Sequence, residues 1–326
     1  MSTVSIIIPA YNVAAYIGET LESVFAQTFN DYEVIVINDG SPDTFELEGV
    51  LARYRGRLTY VEQENLGAGA ARNAGLNAAR AEFVAFLDAD DLWLPNYLAE
   101  QISFLRAQNF DLVCADAIVF DEIGEDADTY MEALVAGKEE SGEVTFEGLI
   151  RGGQSLITSA IVVRRQALID AGYFDQGLRN AQDFDLWIRL ALRGARMAYQ
   201  RKVLARYRYR EGSLSGDAIN RVNRELRVYR KIQNEYHLNQ IQRTEVERAI
   251  RRLERELNLV LGKEHLSRRE FPQALECFRQ AGATEWNWKL RLSCLLLSVA
   301  PNVLPRLNSF HIQSGKRHRN ILRNTS

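Results

Sequence analysis

The sequence predicts an α/β protein built on a mostly parallel central sheet with helices on both faces. Four short apolar runs of strand length, separated by helical patterns, precede residue 90, and each run ends in polar turn residues. Runs that are apolar throughout fit strands buried on both faces, as in parallel sheets with right-handed crossovers. The chain has 326 residues, which is enough for one large domain or two modest ones.

The first four strands are predicted where apolar residues run continuously. They cover residues 4–9, 33–37, 58–61 and 83–87. Helical patterns follow the first three strands, and the third of these is an alanine-rich helix that continues to Ala79. The carboxyl ends of the strands should therefore meet at one edge of the sheet, where ligands bind in such folds.

The following segment is predicted to contain strands and helices around an acidic loop. Strands are expected at residues 111–120 and 160–164, and a helix at residues 166–171. The acidic, turn-rich residues 121–142 predict a mobile loop. A further helix opens near Asp183, where an acidic residue also has a common structural role at a helix N-terminus.

A change of composition after residue 215 predicts an α-helical extension. Residues 219–264 are rich in Arg, Glu and Leu with helical spacing, and residues 271–281 resemble the second helix of a tetratricopeptide unit. One copy of such a unit is weak support, so we predict a helical hairpin. The expected organisation is a domain at residues 1–216 and a helical extension at residues 217–326.

An apolar patch near the C-terminus has two interpretations. The patch contains Trp286, Trp288 and several leucines up to Leu297, and it is too short to span a bilayer. Residues 301–326 carry five Lys or Arg residues and no acid. The patch either packs on the domain or, beside this basic tail, lets residues 285–326 contact a membrane peripherally.

Charge and cysteine content restrict the function and the compartment. The net charge of -3 argues against a nucleic-acid-binding protein, because no basic excess is available to neutralise phosphates. Cys114, Cys277 and Cys294 are far apart and odd in number, which fits free thiols in a reducing compartment. The first residues lack the charged leader and long apolar core of a signal peptide. The sequence therefore predicts a cytoplasmic protein.

Three carboxylates follow the fourth predicted strand directly. Asp88 and Asp90 are two residues apart, so in extended backbone they project to the same side, as half of an oxygen-lined metal site. The alternative is an acidic turn that caps a following helix, because Asp is a favourable N-cap residue. The loops that carry Tyr11, Asp39 and residues 67–72 should face the same crevice, which favours the metal site.

Five sequence blocks together resemble glycosyltransferase family 2, which has the GT-A fold, over about residues 4–215. The blocks are VSIIIPAYN at 4–12, VINDGS at 36–41, NLG and ARN within 65–73, LDADD at 87–91 and DFDLW at 183–187. Each block alone is modestly specific, whereas five in the order of the family are a strong signal. The resemblance implies a nucleotide-binding half at residues 1–110 and an acceptor-binding half at residues 111–216, with the helical extension outside it.

The resemblance implies a nucleotide site at the carboxyl ends of the first strands. Pro9 and Tyr11 would line the base pocket, where an aromatic ring stacks on a nucleobase. Asp39 would accept a hydrogen bond from the base, strengthened by the charge of the carboxylate. Arg72 would reach the base or a nearby phosphate, and Asp88 would contact the ribose or the waters of the metal.

The resemblance also implies a divalent metal and a catalytic base. Asp90, together with Asp88, would hold Mn²⁺ or Mg²⁺ bridging the diphosphate, since hard oxygen ligands suit these ions. Asp183 stands where the family has its base, so it would deprotonate the acceptor hydroxyl in a single displacement that inverts the anomeric centre. Asp185 is the less favoured base, and Asp91 is interpreted as the helix cap.

Two residues depart from the pattern of the family. Gln182 stands where a glutamate commonly precedes the base, and Arg210 stands where relatives often carry a histidine near the metal. A guanidinium does not ligate a cation but pairs with a diphosphate, so Arg210 or Arg208 should neutralise the leaving group. The Gln-x-x-Arg-Trp motif of processive relatives is absent from the sequence, which favours transfer of one sugar per event.

These features predict transfer of a sugar from a nucleotide diphosphate sugar, with UDP as the expected nucleotide. The expected acceptor is a hydroxyl of a cell-surface polysaccharide or lipid-linked glycan. The alternative is a non-catalytic or weakly active scaffold that binds nucleotide sugars, which Gln182 and Arg210 would suit. A nucleotidyltransferase of similar fold is disfavoured because no glycine-rich loop directly follows the first strand.

Overall fold

The structure, a computed structural model, describes residues 2–135, 142–210, 218–284 and 288–299. The chain divides into two compact units, Met1–Arg210 and Glu211–Ser326. The first unit contains one mixed sheet with its helices, and the described residues of the second unit are helical. This confirms the predicted α/β fold with a C-terminal helical extension, whereas the assignment of separate nucleotide and acceptor halves stays a prediction.

The first unit begins with three strand-helix repeats and a fourth strand. These elements are β1 (Val4–Ala10), α1 (Ile17–Phe25), β2 (Tyr32–Asp39), α2 (Thr44–Leu51), β3 (Thr59–Gln63), α3 (Ala68–Ala78) and β4 (Phe83–Phe86). The four strands are parallel, as predicted, and they lie in the order β3, β2, β1, β4. In β1, successive residues Ile6, Ile7 and Ile8 are all fully buried, so both faces of this strand are removed from water.

The second part of this unit extends the sheet with strands of both directions. Its elements are β5 (Leu92–Trp93), α4 (Tyr97–Gln108), β6 (Leu112–Phe120), β7 (Glu125–Thr129), α5 (Tyr130–Val135), β8 (Glu143–Val144), α6 (Phe146–Arg151), β9 (Ile161–Arg164), α7 (Arg165–Asp170), α8 (Gln182–Leu192) and β10 (Met197–Arg208). β9 lies antiparallel between β4 and β6, while β10 is parallel to β6 and antiparallel to β5. The antiparallel β9 therefore brings the turn that precedes it to the carboxyl end of β4.

The prediction of a mobile loop at residues 121–142 is wrong for residues 125–135, which form β7 and α5. β7 pairs with β6. The amide of Met131 donates a hydrogen bond of 3.0 Å to the carboxylate of Asp116. These long-range contacts order a segment whose composition by itself favours a loop, and residues 136–141 lie outside the described residues.

The second unit consists of α9 (Ala218–Glu235), α10 (Gln240–Ser267), α11 (Phe271–Thr284) and α12 (Trp288–Val299). α10 and α11 form the predicted helical hairpin, in which Gly262 lies against the ring of Phe278. One face of α12 joins the core of this hairpin through Leu290, Cys294 and Leu297. The apolar patch predicted near the C-terminus is thus partly a packing surface within its own unit.

The structure also bears on the predicted free cysteines and on the prediction that no segment spans a membrane. Cys114, Cys277 and Cys294 are free thiols, as predicted. Burial raises the pKa of the Cys114 thiol to about 12, so this side chain stays protonated at neutral pH. Within the described residues, no helix combines the length and apolar character needed to cross a membrane.

The close packing of Gly75 in α3 against Ile7 in β1 predicts that a larger residue at position 75 destabilises the fold. A Cβ atom at Gly75 would lie 2.3 Å from Cγ2 of Ile7, whereas one at Gly49, on the exposed side of α2, meets nothing within 4 Å. We expect Gly75→Ala to lower the free energy of unfolding by about 1–3 kcal/mol through overpacking. The matched Gly49→Ala variant should raise it by about 0.5–1 kcal/mol. Urea unfolding followed by tryptophan fluorescence measures both, and equal effects would contradict this packing.

Candidate active site

The predicted nucleotide-site residues lie at one edge of the sheet because β1, β2 and β4 are parallel neighbours. Pro9 is in β1 and Tyr11 directly follows it, Asp39 ends β2, and Asp88 follows β4 by two residues. Pro9 is half-buried and the Tyr11 side chain is exposed. Arg72 of α3 donates a hydrogen bond to Asp88, so all five residues lie at or beside the carboxyl ends of these strands.

Asp39 is buried and is held by donors from two segments. It accepts hydrogen bonds from the Gln63 side-chain amide at 2.7 Å, from the Leu66 amide at 3.0 Å and from the Gly67 amide at 2.9 Å. Gly67 has a positive φ of 89° and precedes α3 directly, a conformation that favours glycine. The carboxylate therefore fixes the turn that starts α3 and is itself held in one orientation.

Each of the two predicted metal carboxylates forms an ion pair with an arginine. Arg72 Nη2 lies 2.7 Å from Asp88 Oδ1, and Arg210 Nη2 lies 2.7 Å from Asp90 Oδ2. Arg72 is buried, whereas the side chain of Arg210 is 37% exposed. Of these two cations, Arg210 is therefore the one that a large anionic ligand reaches more easily.

Arg208, the last residue of β10, organises the loop after β4. Its Nε donates a hydrogen bond of 2.8 Å to the backbone carbonyl of Asp90, and its Nη2 lies 2.6 Å from the Glu19 carboxylate. The guanidinium groups of Arg208 and Arg210 both lie over the ring of Tyr16, at 5.2 and 5.1 Å from its centroid. Arg208 thus has a structural role in this loop, in contrast to the more exposed Arg210.

Asp91 does not cap a helix, which corrects the prediction. The short strand β5 follows it, and α4 begins only at Tyr97. The Asp91 carboxylate is buried and accepts a hydrogen bond of 2.8 Å from the backbone amide of Arg208. Burial raises the pKa of Asp91 well above its usual range, and the charges of Asp90 and Asp88 raise it further. Asp91 therefore joins the loop to the end of β10.

The electrostatics of the loop fit a divalent cation. Burial and the neighbouring charge of Asp88 raise the pKa of Asp90, while Arg210 opposes this shift. A cation beside both carboxylates would relieve their repulsion, and carboxylate oxygens suit Mn²⁺ and Mg²⁺. Among the described residues, no three His, Cys, Asp or Glu side chains are grouped as a metal site.

Asp183, the candidate base, lies in the first turn of α8 and accepts hydrogen bonds from uncharged donors. Its Oδ2 accepts from the Thr158 hydroxyl at 2.9 Å, and its Oδ1 accepts from the amide of Phe184 at 2.8 Å. Since an ionised carboxylate has about four acceptor positions, positions remain for a substrate hydroxyl. Gln182 packs against Gly69 of α3, where a Cβ atom would lie 3.1 Å from Gln182 Cγ. This contact brings the start of α8 beside the start of α3.

Asp185 has a structural partner in the same helix. Its Oδ2 lies 2.8 Å from Arg189 Nε, and the two side chains are 0% and 4% exposed. Arg189 also donates hydrogen bonds to the backbone carbonyls of Ala171 and Tyr173. A fully buried, ion-paired carboxylate is unsuited to meet a substrate, so Asp183 remains the candidate base.

A 3-10 turn that was not predicted from the sequence, Thr158–Ala160, contacts both sides of the site. Thr158 binds Asp183, and the hydroxyl of Ser159 accepts a hydrogen bond of 3.1 Å from the backbone amide of Asp88. The backbone carbonyl of Ser159 accepts a further bond of 2.6 Å from the indole of Trp93. No local pattern marks these two residues, because their partners lie far away in the sequence.

Sequence comparisons identify the family of this chain. Residues 5–155 match the profile described as glycosyl transferase family 2. An uncharacterised glycosyltransferase of Rickettsia prowazekii (strain Madrid E) is 31% identical over 225 residues, which cover 67% of this chain and 68% of that protein. The chain belongs to glycosyltransferase family 2. An uncharacterised glycosyltransferase of Rickettsia felis is 32% identical over 211 residues, which cover 63% of this chain and 34% of that protein, so the match spans about a third of this longer relative.

Two solved structures share the fold of this family 2 chain. Residues 1–349 of S. aureus TarS in complex with UDP-GlcNAc superpose with a TM-score of 0.63 at 20% identity, covering 98% of this chain and 93% of that one. The mannosyltransferase PcManGT from Pyrobaculum calidifontis, in complex with GDP-Man and Mn²⁺, superposes with a TM-score of 0.63 at 20% identity, covering 95% and 85%. At this identity the likeness shows the fold alone, which is GT-A.

The contrast between the two aspartates of α8 is testable by the same substitution at both positions. Asp185→Asn leaves the buried Arg189 without its counter-charge, so we expect a loss of about 3–5 kcal/mol of stability. This corresponds to a fall of roughly 10 °C in Tm. The matched Asp183→Asn variant should change the Tm by less than about 2 °C, since half-exposed positions tolerate such changes. Differential scanning calorimetry measures the Tm of both variants. Similar Tm losses would contradict a structural role for Asp185 and a non-structural role for Asp183.

Proposed function

We propose that this protein is an inverting glycosyltransferase that moves one sugar from a nucleotide diphosphate sugar to an acceptor hydroxyl. The observation that carries the proposal is the presence of two kinds of carboxylate that are joined through one turn, Thr158–Ala160. Arg72 and Arg210 beside Asp88 and Asp90 supply positive charge that suits a diphosphate, whereas Asp183 is held by uncharged donors, as suits a base. Family membership supports this division of roles.

Nucleotide binding is proposed for residues 1–110, and acceptor binding for residues 111–216. Three hydrogen bonds use three of the roughly four acceptor positions of the Asp39 carboxylate. The remaining position suits an N–H group of a base such as uracil, while the exposed ring of Tyr11, beside Pro9, suits stacking on that base. We favour UDP as the nucleotide. Structures of similar fold contain UDP-GlcNAc and GDP-Man, so guanine is the base to test against uracil.

The proposed cofactor is Mn²⁺ or Mg²⁺, held by Asp90 and Asp88. A bound divalent cation supplies Lewis-acid stabilisation of the charge that develops on the departing diphosphate. Arg210 lies beside Asp90 and is partly exposed, so its guanidinium would pair with diphosphate oxygens in a fork that a lysine does not reproduce. Arg72 is buried against Asp88 and would hold that carboxylate in place for the ribose.

Asp183 would supply the base of the reaction. Its carboxylate takes the proton of the acceptor hydroxyl while the hydroxyl oxygen attacks the anomeric carbon on the face opposite the diphosphate. The new carbon-oxygen bond forms as the sugar-phosphate bond breaks, and the bonding electron pair leaves with the nucleoside diphosphate. A single displacement of this kind inverts the anomeric configuration.

A second candidate function is a non-catalytic or weakly active scaffold that binds nucleotide sugars. The observation that favours it is the ion pair between Arg210 and Asp90, which already neutralises the carboxylate that a cation would need. Gln182, in place of the acidic residue common in the family, points the same way. Turnover of a donor distinguishes this candidate from the enzyme.

The enzyme proposal is tested with a panel of UDP-sugars and GDP-sugars in the presence of Mn²⁺ or of EDTA. We expect at least one UDP-sugar to release UDP with Mn²⁺ but not with EDTA. Asp183→Asn should lower kcat about 10²- to 10⁴-fold, as for loss of a general base, while the Kd for UDP with Mn²⁺ stays within about two-fold. Calorimetry measures this Kd. Binding of a donor without turnover would favour the scaffold, and full turnover by Asp183→Asn would remove Asp183 from its role.

A membrane-bound or cell-surface acceptor is proposed together with a cytoplasmic location and peripheral membrane contact through residues 285–326. The side of α12 opposite its packed face carries an apolar stripe with the spacing i, i+4, i+7, i+11. Its members are Trp288, Leu292, Leu295 and Val299, which are 45% to 77% exposed. Exposed Lys289 and Arg291 flank this stripe, and the sequence that follows is basic. Such a helix suits the interface of an anionic membrane.

The membrane proposal predicts that the stripe is required for binding to anionic vesicles. We expect the full chain to cosediment with vesicles of phosphatidylcholine and phosphatidylglycerol but not with phosphatidylcholine alone. Replacing Trp288, Leu292 and Leu295 by Ser should reduce the bound fraction to the level of neutral vesicles. The control is Phe45→Ser, since Phe45 is an exposed apolar residue of the first unit. Equal binding by the triple variant and the control would refute the proposal.

A further inference from the structure

We propose that Thr158 is a positioning residue for the base Asp183, and that the turn Thr158–Ala160 couples this base to the donor-binding loop after β4. The inference rests on the proposed function, in which Asp183 deprotonates the acceptor. It deepens that proposal by naming the residues that set the position of the base relative to the donor.

Thr158 is suited to hold a base without disabling it. Its side chain is buried, and its hydroxyl donates to Oδ2 of Asp183 while the Phe184 amide donates to Oδ1. One hydrogen bond to each oxygen defines the rotation of the carboxylate plane. Both donors are uncharged, so they hold Asp183 less strongly than the arginine partners hold Asp88 and Asp90. The carboxylate is therefore oriented but keeps acceptor positions for a substrate hydroxyl.

Ser159 contacts the opposite side of the site. Its hydroxyl accepts from the backbone amide of Asp88, and its carbonyl accepts from the indole of Trp93 in β5. The next carbonyl, that of Ala160, accepts from the buried side chain of Gln101 in α4 at 2.9 Å. The turn is thus fixed by the loop after β4 and by the elements that follow it.

The coupling follows from the position of these contacts on adjacent residues. Consecutive Cα atoms lie about 3.8 Å apart across a rigid peptide unit. A single peptide unit therefore separates the anchor of Asp183 from the anchor of Asp88. Attack on the anomeric carbon requires the base and the donor in near-attack geometry, and a misplacement of about 1 Å costs about 10²-fold in rate. The turn sets this geometry independently of the substrate.

Substitutions of Thr158 and Ser159 should affect different steps, turnover for Thr158 and donor binding for Ser159. Thr158→Val keeps the shape of the side chain and removes the donor to Asp183, so it should affect turnover and leave donor binding intact. Ser159→Ala removes the acceptor for the Asp88 amide, so it should weaken the donor side. Thr158→Ser keeps the hydroxyl and should restore turnover. Thr244→Val is the matched control, because the Thr244 hydroxyl donates to the backbone carbonyl of Gln240 within its own helix α10, outside the first unit.

The experiment uses the full chain, the UDP-sugar that the panel identifies and UDP with Mn²⁺ as the binding probe. For Thr158→Val we expect a fall in kcat of about 10- to 100-fold, with KM for the donor and Kd for UDP with Mn²⁺ within about two-fold of wild type. Thr158→Ser should recover kcat to within about three-fold. Ser159→Ala should raise the Kd by about 3- to 10-fold, a loss typical of one hydrogen bond. Thr244→Val should leave kcat, KM and Kd unchanged.

Crystal structures of the wild type, Thr158→Val and Thr158→Ser provide a readout that needs no turnover. Displacement of the Asp183 carboxylate by more than about 0.5 Å in Thr158→Val but not in Thr158→Ser supports the proposal. An undisplaced carboxylate, or an unchanged kcat in Thr158→Val, overturns it. Failure of the underlying function is seen separately, since Asp183→Asn would then keep full turnover whatever the position of its side chain.

Discussion

Three carboxylates at the end of a fully buried strand create the electrostatic constraint around which this site is built. Asp88, Asp90 and Asp91 follow β4, where every residue is removed from water, and buried charges are costly unless they are paired. Burial and mutual repulsion raise the pKa of both Asp90 and Asp91. Arg72 and Arg210 supply the opposing charges. The stability of this loop therefore depends on Arg72 from α3 and on Arg210, which follows β10 by two residues.

The same constraint explains why the loop after β4, the proposed donor site, is held by the end of β10. β10 is parallel to β6 and ends beside β5, so Arg208 meets the loop through its backbone amide and its guanidinium at once. Its amide donates a hydrogen bond to Oδ1 of Asp91 and adds no second buried charge. Arg210, two residues further on, stays partly exposed beside Asp90. A largely buried arginine and a more exposed arginine thus come from one strand end, and the more exposed Arg210 is the one proposed to pair with a diphosphate.

The antiparallel strand β9 has a comparable effect on the side of the site that contains the proposed base Asp183. A strand parallel to β4 would begin at the opposite edge of the sheet, far from the carboxylates. Because β9 runs the other way, its preceding turn lies beside Asp88, and Thr158 in that turn reaches Asp183 at the start of α8. Uncharged donors at Asp183 and cationic partners at Asp88 and Asp90 keep the two kinds of carboxylate chemically distinct on the two sides of this turn.

Elements and candidate residues with local sequence signals could be predicted before the structure was known. Continuous apolar runs predicted β1 to β4, and the polar residues that end them predicted which side chains gather at the sheet edge, with the motif blocks adding Asp183. The tertiary structure alone decided the partners. Asp91 bonds to Arg208 across 117 positions, Thr158 to Asp183 across 25, and β7 is ordered by β6. Periodicity reports burial and backbone conformation, whereas pairing depends on which distant segments the fold brings together, so the carboxylates were predictable and their partners were not.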